Sequence, residues 1–258
     1  MSTRSFRRIE SEDNRVFKQL VKALSGRGIR KSDTALVSGT KIVDDILRAS
    51  PEISEAWIST SKHAPPPVAL PARAAWYELS PALFRKLDVS GTDAPLLLVA
   101  TPALMPWRAE DGFVPGCNVL VPFQDPENVG AVIRSAVAFA AARVILLAES
   151  AHPYHPKAVR ASGGAVFVAH LLQGPSLDQL PASLPIVALS AEGTDVANFV
   201  FPDRFGLLPG IEGPGLPERF RARALSIPMS GGVESLNAAS AASIALYVWS
   251  QRLPKRRV

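Results

Sequence analysis

The chain has one cysteine, Cys117, among 258 residues. A single thiol excludes an internal disulfide and suits a reducing compartment. Long apolar runs are also missing: none reaches the ~18 uninterrupted residues that a membrane-spanning helix needs. The start, MSTRSFRRIESEDNR, is polar and lacks the apolar stretch of a secretory signal. A cytoplasmic protein with no membrane partner is expected. There is no internal repeat, no G-x-G-x-x-G and no P-loop lysine. Those absences argue against a dinucleotide-dependent oxidoreductase. Histidine is scarce too. His152 and His155 form an i,i+3 pair in HPYHP, but each precedes a proline and no cysteine is close in sequence. His63 and His170 have no readable partner, so no metal site is expected. No Ser/His/Asp set is apparent, and Cys117 reads as a small buried apolar residue.

What is present allows a sizeable core. Hydrophobic residues make up 47% and charged residues 20%, which argues against wholesale disorder. The length suits one large domain or two small ones. The net charge of +5 is unevenly spread. Residues 1–31 hold nine Lys/Arg against three Asp/Glu, and Arg252, Lys255, Arg256 and Arg257 crowd the other end. Clustered positive charge attracts phosphate backbones; a solubilising surface explains it equally well on charge alone.

Two Pro-rich stretches interrupt the pattern, 64–74 (APPPVALPARA) and 101–116 (TPALMPWRAEDGFVPG). The second lies between apolar runs and is taken as the boundary. Residues 1–100 then form a small mixed domain, 101–116 a linker and 117–258 a second domain. In the first, helices are expected at 16–24, 41–49 and 81–87, with strands at 35–38, 56–59 and 96–100. In the second, strands are expected at 118–121, 143–147, 165–171, 186–190, 205–208 and 225–227. Helices lie between several of these, and a last helix spans 236–253. Apolar strands alternating with helices predict an α/β domain with a parallel sheet covered on both faces. Ligands of such sheets bind beyond the carboxyl ends of the strands.

Three segments could carry chemistry. The first, VPFQDPENVGAVIRSA (121–136), reads as strand, turn and helix. Asp125 suits the N-cap and Pro126 the first helical position. Val129, Val132, Ile133 and Ala136 share one stripe; Asn128 and Arg134 lie off it. Gly130 costs roughly 1 kcal/mol inside a helix and so needs a reason. The second, LLPGIEGPGL (207–216), carries a strand into a glycine-rich turn with one carboxylate, Glu212. Such glycines allow close backbone approach to a ligand, though a plain turn explains the segment taken alone. The third, SIPMSGGVESLNAASAASIALYVW (226–249), ends a strand at Pro228 and opens an Ala/Ser-rich helix that Ser235 can cap. Asn237 is the odd polar residue in that helix's first turn, and a buried polar group needs a partner.

Together and in this order, the three segments resemble the SpoU/TrmH family of the SPOUT methyltransferases. Asp125–Gly130 with Arg134-Ser135-Ala136 resembles its first motif. Gly210-Ile211-Glu212-Gly213 with Gly215-Leu216 resembles the second, and Ile227-Pro228-Met229 with Ser235-Leu236-Asn237 the third. Residues 157–167 (KAVRASGGAVF) are similar to the family's connecting region. One departure is Ala239, where many members have Ser. Residues 33–47 and 83–99 resemble, in pattern, the L30e-like RNA-binding domain that precedes the catalytic domain in several members, although many read Glu where this chain has Ser38.

The resemblance implies a deep trefoil knot in the C-terminal domain, a rare exception to unknotted topology, and a homodimer. It implies SAM-dependent methylation of a ribose 2'-hydroxyl in structured RNA, with 23S rRNA favoured over tRNA. A non-catalytic RNA-binding protein on the same fold is the other reading. Gly210, Ile227, Met229 and Leu236 would hold S-adenosyl-L-methionine (SAM), largely through backbone groups. Asn128, Arg134, Glu212, Ser235 and Asn237 would serve the reaction. A guanidinium pKa above about 12 makes Arg134 a poor base in isolation. It would either lose a proton when perturbed by neighbours, or clamp a phosphate and steady the developing alkoxide, the role favoured on physical grounds.

Overall fold

A computed structural model describes residues 5–210, 216–221, 224–232 and 234–253. The chain divides into two compact units. One runs up to Ala103 and also takes His152–Gly164; the other consists of Leu104–Ala151 and the chain from Ala165 onward.

The first unit contains, in chain order, β1 (Arg7–Ile9), α1 (Arg15–Lys22), α2 (Gly26–Ser32), β2 (Thr34–Val37) and α3 (Thr40–Ala49). β3 (Ser54–Ser59), β4 (Ala75–Leu79), α4 (Pro81–Leu87) and β5 (Leu96–Ala100) follow. Short polar side chains begin α1, α2 and α4, while α3 follows Gly39. Asn14 accepts from the Val16 and Phe17 amides at 2.8 and 3.4 Å, and Ser80 stands before Pro81 at the start of α4. The sheet order is β1-β4-β3-β5-β2, with β5 antiparallel to both neighbours and the other pairs parallel. Phe17 and Leu20 of α1 and Leu83, Phe84 and Leu87 of α4 pack with Ile58 and Leu96 to form the core.

β2 is an edge strand, and unpaired edges invite wrong pairing. Helix α6 (Pro156–Ser162), far along the chain, packs on it. This helix has Pro156 at its first position and a left-handed Gly163 at its end, the expected asymmetry of helix termini. The neighbouring contacts are tight. A Cβ at Gly26 would lie 3.1 Å from that of His152, and one at Gly164 would lie 3.3 Å from Ile42 Cγ2. The stretch 152–164 thus belongs with the N-terminal unit, although the Pro-rich boundary had assigned it to the C-terminal domain. Only nonlocal packing decides this.

The second unit contains β6 (Met105–Pro106), β7 (Gly116–Val121), α5 (Pro126–Ala138), β8 (Arg143–Leu146) and β9 (Leu171–Gln173). β10 (Ile186–Asp195), β11 (Arg204–Leu208), α7 (Glu218–Arg221), β12 (Ala224–Ser226) and α8 (Ala238–Ser250) complete it. The seven strands are ordered β12-β10-β11-β7-β8-β9-β6, and every pair is parallel. Central β7 is buried beyond Gly116 and apolar there except for one polar member, the fully buried Asn118. That amide donates to the carbonyls of Val114, Gly116 and Phe205 at 2.9 to 3.2 Å, tying β7 to β11. The expected strand at 165–171 is corrected: 165–167 is a 3₁₀ turn and β9 begins at Leu171. The preceding Gly163 and Gly164 both have positive φ, and the chain straightens only where Leu171 and Leu172 can pair with β8.

Helix α5 begins as its sequence predicts, with the Asp125 carboxylate accepting from the Glu127 amide at 2.8 Å. Val129, Val132 and Ile133 are fully buried. Each contributes about 1.5–3 kcal/mol, which outweighs the roughly 1 kcal/mol cost of Gly130. Gly130 is itself buried, and α5 packs against α8.

Candidate active site

The carboxyl ends of β11, β10 and β12, three neighbours in the sheet, open on a cavity of about 600 Å³. β10 supplies Leu189, Ser190 and Ala191; Gly210 follows β11; Ile227 and Met229 follow β12. The fourth wall is the start of α8, with Ser235, Leu236, Asn237, Ala238 and Ala241. The cavity therefore gathers the four residues expected to hold a cofactor, Gly210, Ile227, Met229 and Leu236, together with Ser235 and Asn237. Glu212 lies outside the described residues. The described lining carries no charged side chain. Met229 and Leu236, each 37% exposed, give the cavity apolar surface at its lip. Among the described residues, the groups available for recognition are backbone groups, a few neutral polar atoms and an apolar surface.

Sequence reasoning missed the β10 wall. Its geometry depends on a bulge: the register with β12 shifts between Leu189 and Thr194. Inside it, a Cβ at Gly193 would lie 2.3 Å from the Ala224 carbonyl oxygen, so only glycine fits. The Ser226 hydroxyl donates to the Gly193 carbonyl at 3.0 Å, and the Glu192 amide donates to Ser190 Oγ at 3.3 Å. The available signal was the end of an apolar strand, where α/β sheets bind ligands. The approach at Gly210 is milder: a Cβ there would lie 3.3 Å from the Leu189 carbonyl oxygen, which would have to give by a few tenths of an ångström.

The start of α8 differs from expectation. Asn237, not Ser235, is the N-cap, and the helix begins at Ala238. Asn237 Oδ1 accepts from the Ala239 and Ser240 amides at 3.0 and 3.1 Å. That fixes the orientation of the carboxamide, because only its oxygen can accept. Its Nδ2 then donates to Asn128 Oδ1 at 3.0 Å. A carboxamide satisfies both neighbours at once; a serine hydroxyl has one proton and a shorter reach. Ser235 is exposed at the cavity wall.

Asn128 is buried in the first turn of α5. Arg134 stands exposed further along that helix, with no hydrogen bond or ion pair to its side chain among the described residues. The Asn128–Asn237 bond thus joins the helix bearing Arg134 to the helix walling the cavity. Other reactive groups lie elsewhere. Burial pushes the Cys117 thiol far above its ordinary range, leaving it a packing residue. Among the described residues, no three His, Cys, Asp or Glu come together as metal ligands.

A wholly parallel sheet with a cavity beyond its carboxyl ends, uncharged among the described residues, has the ligand-site geometry of an α/β domain. Residues 117–247 match the SpoU rRNA Methylase family, and the chain belongs to that family. It is 56% identical over 251 residues to Ribosomal RNA small subunit methyltransferase G 2 of Syntrophobacter fumaroxidans, covering 97% of this chain and 50% of that protein. This chain therefore spans about half the length of that relative. It is 28% identical to the 23S rRNA (guanosine(2553)-2'-O)-methyltransferase RlmP of Bacillus subtilis, over 93% of this chain and 98% of that one. The SpoU methyltransferase AviRb of Streptomyces viridochromogenes, solved with AdoMet, aligns with a TM-score of 0.74 at 27% identity. That alignment covers 93% of this chain and 98% of that chain.

Proposed function

We propose that this protein transfers the methyl group of SAM to a ribose 2'-hydroxyl of ribosomal RNA. The observation that carries the reading is the Asn128–Asn237 bond, which joins an exposed arginine's helix to the wall of a neutral cavity. A volume of about 600 Å³ lies within the usual ~300–1,000 Å³ of small-molecule sites. The close approaches at Gly193 and Gly210 leave backbone groups of 189–191 and 210 to hold the cofactor, with Ile227, Met229 and Leu236 as apolar cover. Bound there, SAM would supply an electrophilic methyl.

The chain's own work is to bring a ribose oxygen in line and favour loss of its proton. Arg134 is exposed and unengaged among the described residues, so it is available to grip the adjacent phosphate through two N–H groups. The same charge stabilises the oxygen as it gains alkoxide character. Asn128, Ser235 and Asn237 orient the ribose and the arginine's helix, and Glu212 completes the set.

The relatives' names divide between small and large ribosomal subunits. The large subunit is favoured because the match to the 23S enzyme spans nearly all of both chains. The first unit supports an RNA-binding role of the L30e-like kind. Arg8, Lys18 and Lys41 are neutralised by Glu78, Asp13 and Asp45. Arg27, Arg30 and Lys31 of α2 and Arg160 of α6 have no ion pair among the described residues, which leaves them for phosphates.

A homodimer on the α5–α8 face fits the exposed Val137, Ile244 and Tyr247, with Phe139 and Tyr247 in edge contact at 5.8 Å. The parallel strand order suits the family's trefoil knot. A cytoplasmic setting agrees with ribosomal RNA as substrate; no helix among the described residues is long and apolar enough to cross a membrane.

The test uses labelled SAM and unmodified ribosomal RNA transcripts. Wild-type protein labels a 2'-O position; Arg134→Ala loses transfer by at least about 100-fold while calorimetry still detects SAM binding. Full activity in that variant would sink the assignment.

A further inference from the structure

A second polar contact joins α5 to α8, and nothing described so far uses it. Ser135 Oγ and Ser243 Oγ lie 2.7 Å apart. Ser135 neighbours Arg134 on α5; Ser243 lies two residues beyond Ala241, which walls the cavity. Each hydroxyl also reaches a carbonyl of its own helix, Ser135 to Ala131 at 3.1 Å and Ser243 to Ala239 at 2.7 Å.

Three contacts share two protons. One arrangement has Ser135 donating to Ser243 and Ser243 donating to the Ala239 carbonyl. The other has Ser243 donating to Ser135 and Ser135 donating to the Ala131 carbonyl. The first uses both 2.7 Å contacts and is favoured. Removing either hydroxyl leaves the survivor with its own helix's carbonyl. No buried group is orphaned, so the cost to stability is small.

The cost to geometry is larger. Asn128 and Ser135 are seven residues apart on α5, and Asn237 and Ser243 are six apart on α8. At ~1.5 Å per residue the two contacts are about 10 Å apart along the helices. One contact is a pivot; two fix the rotation as well as the distance. Arg134 has no partner of its own among the described residues. Its location is therefore set by how α5 is seated.

We propose that Ser135 and Ser243 form a positioning pair that holds Arg134 in register with the cavity. This rests on the reading of Arg134 given above. A displacement of about 1 Å can cost on the order of 100-fold in rate, so a loosened second contact is expected to cost about tenfold.

Four variants of the full chain test it: Ser135→Ala, Ser243→Ala, the double variant and Ser135→Thr. Methyl transfer from SAM to ribosomal RNA transcripts gives kcat and KM, calorimetry gives SAM affinity and thermal unfolding gives Tm. The expected result is kcat lowered about tenfold in each alanine variant. The double variant should be no worse than either single, because the two residues act through one contact. SAM affinity and Tm should be nearly unchanged, and Ser135→Thr should retain activity by keeping the hydroxyl. The proposal is overturned if kcat stays within about twofold of wild type. It is equally overturned if the loss of rate comes with matching losses of SAM affinity and Tm, which would mark a purely structural contact. Arg134→Ala run alongside separates the two readings. If it is inactive while the serine variants are normal, only the positioning pair fails; if it is fully active, the Arg134 assignment fails.

Discussion

The two units use polar residues in opposite ways. In the second unit the informative groups are neutral and hydrogen-bonded to one another across two helices: Asn128 to Asn237, and Ser135 to Ser243. In the first they are charged and exposed, and those on α2 have no carboxylate partner among the described residues. Neutral hydrogen bonds act over about 3 Å and depend on direction. Exposed charges act over a Debye length of about 8–10 Å and depend on salt. The second unit is thus suited to setting geometry and the first to gathering a polyanion. Substitutions in the two should fail in different observables.

The largest effect is expected at Asn237, where one side chain has two duties. Asn237→Ala removes the N-cap, worth about 1 kcal/mol, and the bond to Asn128. Asn237→Asp separates the duties. Aspartate caps a helix as well as asparagine, but it turns an acceptor toward Asn128 Oδ1 where an N–H stood. We expect Tm to fall in the alanine variant and hold in the aspartate variant, while methyl transfer drops about 100-fold in both. Normal turnover in Asn237→Asp would show that an N–H from residue 237 is dispensable, the Asn128 carboxamide having turned to donate in its place.

Next comes Gly193, which shapes the cavity from outside it. Alanine there must displace the Ala224 carbonyl, 2.3 Å from the new Cβ. Overpacking of this kind costs about 1–3 kcal/mol of stability. Because the strain displaces the β10 wall of the cavity, SAM affinity should fall as well, by about tenfold for every ~1.4 kcal/mol lost from the bound state. Calorimetry reads this directly, and an unchanged Kd would mean that the bulge does not shape the binding site.

The first unit should respond to salt instead. Arg27→Glu, Arg30→Glu and Lys31→Glu together should weaken binding of ribosomal RNA fragments while leaving SAM affinity alone. If each residue neutralises one phosphate, the slope of log K against log salt should fall by roughly 2–3. An unchanged slope would move the RNA contacts off α2.

Much of this arrangement was legible in the sequence where the signal is local. Asp125-Pro126 marked the start of α5, and apolar strands marked β7, β8, β10 and β11. Gly210 of the second segment and Ile227, Met229 and Ser235–Asn237 of the third meet at one cavity because strand ends in a parallel sheet share a side, while the first segment reaches it only through the Asn128–Asn237 bond. What was hidden is nonlocal. The Asn237 cap depends on Asn128, 109 residues away, so Ser235 looked like the better start. The need for Gly193 comes from the Ala224 carbonyl. The membership of 152–164 in the first unit comes from an uncovered edge at β2. The run at 165–171 read as a strand because its apolar residues carry no sign of the 3₁₀ turn.

That same hidden segment gives the smallest predicted effect, and one that separates the units by pH. His152 packs against Gly26, and its pKa is lowered from 6.5 to about 4, by burial first and then by Arg30 and His155, against a weaker opposing pull from Asp33. The folded state therefore holds the neutral ring. Above about pH 6.5 neither state binds the proton, and this group's contribution to stability is complete. As pH falls from about 6.5 toward 4, the unfolded chain takes up the proton and the folded chain does not. Stability is lost through that window and levels off below it. His152→Gln, which cannot titrate, should flatten that part of the stability curve, while SAM affinity, which the proposed site puts in the other unit, stays constant. Thermal unfolding between pH 7 and pH 4 checks this; an equal slope in wild type and variant would mean that the ring titrates freely in the folded protein.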